Sequence, residues 1–317
     1  MGRGPAPPHT YAEPMHRDEL YGVVPNFSEG RRADVVDTIV RALHVPGARV
    51  VYAEADPDHN RLDTTVLGDA GAVRDSALAG ATAAVELIDM RAHRGGHPRM
   101  GAADVIPFMP VRGVTIEDCV TVARGFGREL AERLDLPVYL YDRAALVPDR
   151  ASLADVRRGE YEGLREAVAR GERLPDLGPH EIGPAGATAV GARKPLVAFN
   201  VYLDGSDERA AKEIARTLRE SNGGLPAVRA IGFTVPERGG VATVSMNLVD
   251  HEVTGLREAF GGVVRLAAGY GMTVTDSEIV GLVPASALAD DDVAYLGLTG
   301  FDPDRQVLER LVDEGEE

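Results

Sequence analysis

The densest grouping of proton-transfer residues and helix breakers in this 317-residue chain is His93-Arg94-Gly95-Gly96-His97-Pro98-Arg99-Met100-Gly101-Ala102-Ala103-Asp104, which holds two of the eight histidines. His93 and His97 stand at i and i+4, the spacing of a metal pair on a helix. Two glycines and Pro98 disfavour a helix here, and a zinc site would need a third ligand, for which Asp104 or Glu54 would have to serve. No metal is therefore expected. Held by a loop instead, an imidazole with an ordinary pKa of about 6.5 is suited to taking or giving a proton near neutral pH. Spacing alone leaves a second reading of His97 open, a histidine that only hydrogen-bonds a turn. Glu54, Asp56 and Asp58 are likewise open to two readings, a group that attracts a cation or orients His97, or a solvated cluster.

Other chemistries find little support. Gly186 and Gly191 suggest a phosphate loop, but Ala192-Arg193 replaces the Lys-[Ser/Thr] that such a loop needs. No G-x-G-x-x-G follows a strand and no G-x-S-x-G occurs, so ATP, NAD and hydrolase-type nucleophiles are not expected. A net charge of −16 and a pI near 5.0, with no basic stripe, argue against nucleic acid. Cys119 is the one cysteine and falls in an amphipathic pattern, which suits a structural role in a reducing, cytoplasmic setting. No apolar run approaches the roughly 18 residues of a membrane span, and no signal-peptide layout opens the chain.

The elements around the His93–Asp104 loop follow from hydrophobic period. Residues 1–17 are rich in Pro and Gly and read as a disordered tail. A short strand near Leu20–Val24 leads through a turn-like Pro25–Gly30 to a helix over about 33–43, with Val35, Ile39 and Leu43 on one face. Strands around 50–52 and 64–67 flank a polar turn, and Val73, Ala77, Ala81, Ala84 and Ile88 mark a second helix. The loop and the strand Val105–Phe108 follow, giving β-α-β-β-α-β. A helix over about 116–134 and a strand at Val138–Leu140 close the unit, and 172–193 reads as irregular loop. The pattern repeats over 196–290. The expected fold is α+β, two tandem βαββαβ (ferredoxin-like) subdomains, 18–195 and 196–290, each a sheet covered by helices, with a ligand cleft between them. Residues 291–317 read as an acidic tail.

Seven linked blocks carry a resemblance. Val24-Pro25-Asn26-Phe27-Ser28-Glu29-Gly30, Asp58-His59-Asn60-Arg61, Leu87-Ile88-Asp89-Met90, His93-x-Gly95-x-His97-Pro98-Arg99-Met100-Gly101, Pro110-Val111-Arg112-Gly113, Pro137-Val138-Tyr139-Leu140-Tyr141 and Gly186-Ala187-Thr188-x-Val190-Gly191-Ala192-Arg193-Lys194 resemble, in order and spacing, the glutamate formimidoyltransferase family. The resemblance spans about residues 20–290. It implies transfer of the formimidoyl group of N-formimidoyl-L-glutamate to N5 of tetrahydrofolate, a co-substrate, giving 5-formimidoyltetrahydrofolate and glutamate in histidine and one-carbon metabolism. It implies His97 as the catalytic histidine and a cytoplasmic homodimer. Binding roles are expected for Glu54, Asn60, Arg61, Arg99, Asp104 and Arg112, and for Gly178, Pro179, Pro184 and Gly186 in the loop that matches the family's folate-binding segment. This chain departs from the pattern at Glu54, usually Asp, at Leu62-Asp63, usually Thr-Val, and in a 178–186 loop one residue shorter than in the animal enzymes. The cyclodeaminase domain of those enzymes is not expected here. The alternatives are the same transfer with another donor or acceptor, such as formimidoylglycine, and a folate-binding protein without turnover.

Overall fold

The computed structural model describes residues 19–313, so the stretch 1–17, read above as a disordered tail, lies outside the described residues. Two sheets organise the chain. The first comprises β1 (Leu20–Val23), β2 (Asn26–Phe27), β3 (Ala48–Asp56), β4 (Arg61–Gly68), β5 (Ala103–Arg112), β6 (Val138–Asp142) and β7 (Thr188–Ala192). β1 and β2 both lie between β4 and β5, as two pieces of one strand interrupted at Val24-Pro25, where proline has no N–H for the ladder. The order is β3-β4-β1/β2-β5-β7-β6, antiparallel except that β7 runs parallel to both β5 and β6.

Helices α1 (Ala33–Leu43), α2 (Ala70–Leu87) and α3 (Ile116–Leu134) cover one face. Their apolar stripes were legible: Val35, Ile39 and Leu43 of α1 are buried, and α3 starts on a capping box in which Thr115 and Asp118 exchange hydrogen bonds. Their core includes Phe27, Phe108 and Phe126, the last two edge to face at 5.3 Å. Strand alternation sends Leu62 and Val66 of β4 into that core, and therefore Arg61, Asp63, Thr65 and Leu67 to the opposite face. The short helices α4 (Leu153–Val156) and α5 (Glu160–Ala169) join β6 to β7.

The second sheet, β8 (Val197–Leu203), β9 (Val228–Val235), β10 (Val241–Leu248) and β11 (Val274–Val280), is antiparallel in the order β11-β8-β10-β9 and carries α6 (Glu208–Leu218) and α7 (Leu256–Ala268). Its four strands pair fourth-first-third-second. The β5, β1/β2, β4 and β3 part of the first sheet pairs in that same order, so the duplicated α+β architecture read from the sequence is present.

Two expectations are corrected. Thr188–Ala192 lies inside the stretch read as irregular loop, yet it is a fully buried strand between β5 and β6. Its small residues show no alternation because both faces are covered. Residues 291–313, read as acidic tail, form α8 (Asp292–Tyr295), α9 (Pro303–Gln306) and α10 (Arg310–Asp313). Leu296 and Val307 enter the second core, Leu308 packs with Leu20, Leu67 and Met109 of the first sheet, and Asp291 and Asp292 pair with Arg257.

Candidate active site

The site is built around a defect in the first sheet. β2 meets β5 at Asn26↔Val105 and Phe27↔Ala103, so Asp104 is the extra residue of a β-bulge, a device that re-aims a side chain. The Asp104 carboxylate is fully buried; Oδ1 accepts the Met100 N–H at 2.7 Å, and Oδ2 accepts from Arg61 Nη1 at 2.9 Å and from Arg157 Nη2. Burial would raise its pKa, but Arg157 and Arg61 prevail and hold it below the usual carboxylate value. Arg61 also donates through Nε to Asp63 at 2.8 Å, and Asp63 accepts from the Asn26 amide. A network thus runs from Arg157 through Asp104, Arg61 and Asp63 to Asn26.

His97 stands beside it, partly exposed and edge-on to His59 at 6.1 Å between ring centres. Its Nδ1 lies 2.7 Å from the Pro98 carbonyl, which assigns the proton to Nδ1 as donor and leaves Nε2 with its lone pair. Burial, then the charges of Arg61 and Arg157, push its pKa down to about 4. The imidazole is neutral at pH 7.

The loop is held by close backbone approaches. His93, 8% exposed, donates through Nε2 to the Asn60 carbonyl at 3.1 Å, so the i, i+4 spacing serves two separate hydrogen bonds. Asn60, at φ +52°, accepts the Gly30 N–H at 2.9 Å and donates to the Arg94 carbonyl at 2.9 Å. Gly101 and Gly186 face each other as a bridge. A Cβ on Gly101 would stand 2.1 Å from the Ala187 oxygen, and one on Gly186, at φ +77°, 2.3 Å from that of Met100.

The other expected residues divide. Glu54 sits on β3 opposite Asp63, exposed, and accepts the Tyr52 hydroxyl; the orientation of the His97 ring comes from Pro98 instead. Asp56 accepts the backbone N–H groups of Asp58 and His59 and pairs with the His59 ring, the chemistry of a turn. Arg99 is buried with its guanidinium on Glu160 and Glu162, so it is neutralised within the protein. Arg112 ends β5, eight residues beyond Asp104, which at about 3.3 Å per residue puts its backbone roughly 26 Å from the site. Gly178, at φ +82°, packs against the Leu136 carbonyl, and Pro179 follows it there. At the far end of the 178–186 loop, Pro184 accepts the Met90 N–H at 2.8 Å, Ala185 accepts that of Ala102 at 2.8 Å, and Gly186 crosses Gly101. Arg157 was missed, since a guanidinium in a charged helical stretch carries no sequence signal that separates it from a solvated one.

Residues 20–193 match the family model described as the formiminotransferase domain, N-terminal subdomain, and 198–302 match the formiminotransferase domain. The chain belongs to the formiminotransferase family. A protein named glutamate formimidoyltransferase from Thermoplasma acidophilum is 45% identical over 297 residues, 93% of this chain and 97% of that protein. One of the same name from Streptococcus pyogenes is 41% identical, covering 90% of this chain and 96% of that one. Rat formimidoyltransferase-cyclodeaminase is 42% identical over 94% of this chain and 61% of its own length. In this formiminotransferase chain a cavity of about 360 Å³ opens between the two subdomains, lined by Tyr141, Asp142, Arg193, Lys194, Arg229 and Asp250 among others. Tyr141 pairs with Gly191, which pairs with Pro107, three residues and about 10 Å along β5 from Asp104.

Proposed function

We propose that the protein transfers the formimidoyl group of N-formimidoyl-L-glutamate to N5 of tetrahydrofolate, releasing L-glutamate and 5-formimidoyltetrahydrofolate, with His97 as base and then acid. The observation that carries the reading is a neutral imidazole with Nδ1 tied to Pro98 and Nε2 left as acceptor, beside the Arg61–Asp104–Arg157 cluster. N5 attacks the amidine carbon and loses its proton to Nε2; the tetrahedral intermediate collapses as the same nitrogen returns a proton to the departing glutamate nitrogen. Holding both substrates together removes an entropic barrier that can reach about 7–11 kcal/mol.

The amidine donor is a cation at neutral pH. Glu54 and Asp63 face each other across β3 and β4, a like-charged pair that is unfavourable unless a cation lies against it. Arg61 answers part of that charge through Asp63, and the amidine answers the rest. Substrate carboxylates are taken by the cationic groove residues Arg193 and Arg229, a task for which the sequestered Arg99 is unsuited. The protein works in the cytoplasm as a homodimer, with small-molecule substrates and no nucleic acid or membrane partner. Gel filtration returning a monomer at micromolar concentration would remove the dimer.

Incubation with formimidoylglutamate and tetrahydrofolate, followed by product analysis, tests the activity. Product from formimidoylglycine alone would change the donor, and tight folate binding with no product would reduce the protein to a binding module. Turnover by His97→Ala equal to wild type would overturn the catalytic role.

A further inference from the structure

We infer that Arg173, far from His97 in sequence and outside the site described above, is a positioning residue for the transfer, acting through Arg157 on Asp104 and His97. This rests on the role proposed for His97. The helix that delivers Arg157, α4, is a single turn, too short to persist by its own hydrogen bonds, and its last carbonyls have no partner within it. Arg173 supplies a partner to the Val156 carbonyl and to that of Arg158 just beyond the helix, and adds a donor to the Asp155 carbonyl, which already accepts the Arg158 N–H at 3.3 Å. Its Nη1 donates to the Arg158 carbonyl at 2.5 Å, and its Nη2 donates to those of Val156 at 2.6 Å and Asp155 at 3.3 Å. These carbonyls bracket Arg157, whose own side chain runs to Asp104.

The clamp is itself fixed. Arg173 has a left-handed backbone, φ +48°, and its carbonyl accepts the Tyr139 hydroxyl at 2.6 Å, which ties it to β6. On the other side, the Arg99 carbonyl accepts the Tyr161 N–H at 2.9 Å, and the Arg99 guanidinium pairs with Glu160 and Glu162, two residues from His97. Residues 155–162 are thus braced between Arg173 and the His97 loop. A cavity of about 580 Å³, lined by Tyr139, Arg150, Asp155, Arg158 and Arg173 among others, gives the turn room to move when the clamp is lost.

The charged and titratable groups around His97 are Arg61 and Asp63 from β4, Asp104 from β5, Arg157 after α4 and His59 from the β3–β4 turn. Displacing Arg157 removes one positive charge from this set, which makes protonation of His97 easier. Arg173→Ala should then copy Arg157→Gln. Arg173→Lys, which keeps the charge but not the planar fork that spans three carbonyls, should fall between wild type and Arg173→Ala.

The test is NMR titration of the His97 imidazole in the full chain, assigned by the signal lost in His97→Asn, for wild type, Arg157→Gln, Arg173→Ala, Arg173→Lys and the Arg157→Gln/Arg173→Ala double variant. The midpoint is expected to rise above about 4 by the same amount in both single neutral variants, staying below 6.5 because burial and Arg61 remain, and to rise no further in the double variant. Millimolar guanidinium should bring Arg173→Ala part of the way back, and the acid limb of kcat/KM should move with the midpoint. A wild-type midpoint in Arg173→Ala alongside a raised one in Arg157→Gln, or additive shifts in the double variant, would overturn the inference. Should Arg173→Ala fail to fold, an unmoved midpoint in Arg173→Lys overturns it equally. The titration needs no turnover, so absence of product from wild type would sink the proposed activity while leaving this test readable.

Discussion

At His97 burial and then the charges of Arg61 and Arg157, and at Asp104 the same two arginines acting against burial, lower two pKa values, and each shift makes stability fall as pH drops. The His97 value of about 4 lies below the ordinary 6.5, so between those limits the unfolded chain binds more protons than the folded one. Stability therefore falls as pH drops from about 6.5 toward 4, and His97 contributes no pH dependence above that window. Asp104 is depressed too, so its contribution is present above the unfolded carboxylate value and is lost as pH falls through the lower folded one. Asp104→Asn leaves two buried guanidinium groups without their carboxylate. A loss of about 3–5 kcal/mol is expected from urea unfolding, together with a further drop in the His97 midpoint, because the Asp104 charge favours the imidazolium. His97→Ala is expected to lower kcat on the order of 10²- to 10⁴-fold while folate binding, followed by fluorescence quenching, persists. At this scale Gly95, Gly96 and Pro98 argued against a helical metal pair but left His97 open to two readings, and it was the resemblance of the linked motifs that pointed to it as the acid/base. The sequence was silent on Arg157, because charge and helical period look alike whether a guanidinium faces water or a buried carboxylate.

Among the elements, what positions the chemistry is close backbone approach. The Gly101–Gly186 crossing leaves no space for a Cβ on either side, and Gly186 has positive φ. Gly186→Ala is expected to cost at least about 1–3 kcal/mol, read as a lower urea midpoint, and to misplace Met100 and hence the Asp104 hydrogen bond. Helices α1, α2 and α3 were legible from one-sided apolar period, and the second subdomain from its repetition. β7 was not, because a strand of small residues buried on both faces has no alternation and here sits among glycines and prolines. Nor was the bulge at Asp104, which exists only as a mismatch between the registers of two strands distant in sequence.

For the whole molecule, the C-terminal segment is part of the structure that holds the two sheets together. Leu308 is 2% exposed and packs with Leu20, Leu67 and Met109 on the face of the first sheet opposite its helices. Leu308→Ala is expected to cost about 2–5 kcal/mol, and differential scanning calorimetry should show the loss; an unchanged melting temperature would remove that role. Composition could not reveal it, since the few leucines of this segment are outnumbered by acidic residues that turn out to cap, or pair with Arg257.

Local covalent chemistry and period were enough for the α+β class, the duplication and the helices, because each depends on neighbours in sequence, while His97 was pointed to by the resemblance of the linked motifs. Only the tertiary structure decided which charges find partners within the protein. Arg99 pairs with Glu160 and Glu162, Arg112 stands at the far end of β5 from Asp104, and Arg157 reaches Asp104 from the end of a one-turn helix. The physical reason is that the electrostatics of a buried site are set by desolvation and by partners within a few ångströms, and those partners come from strands and loops far apart along the chain.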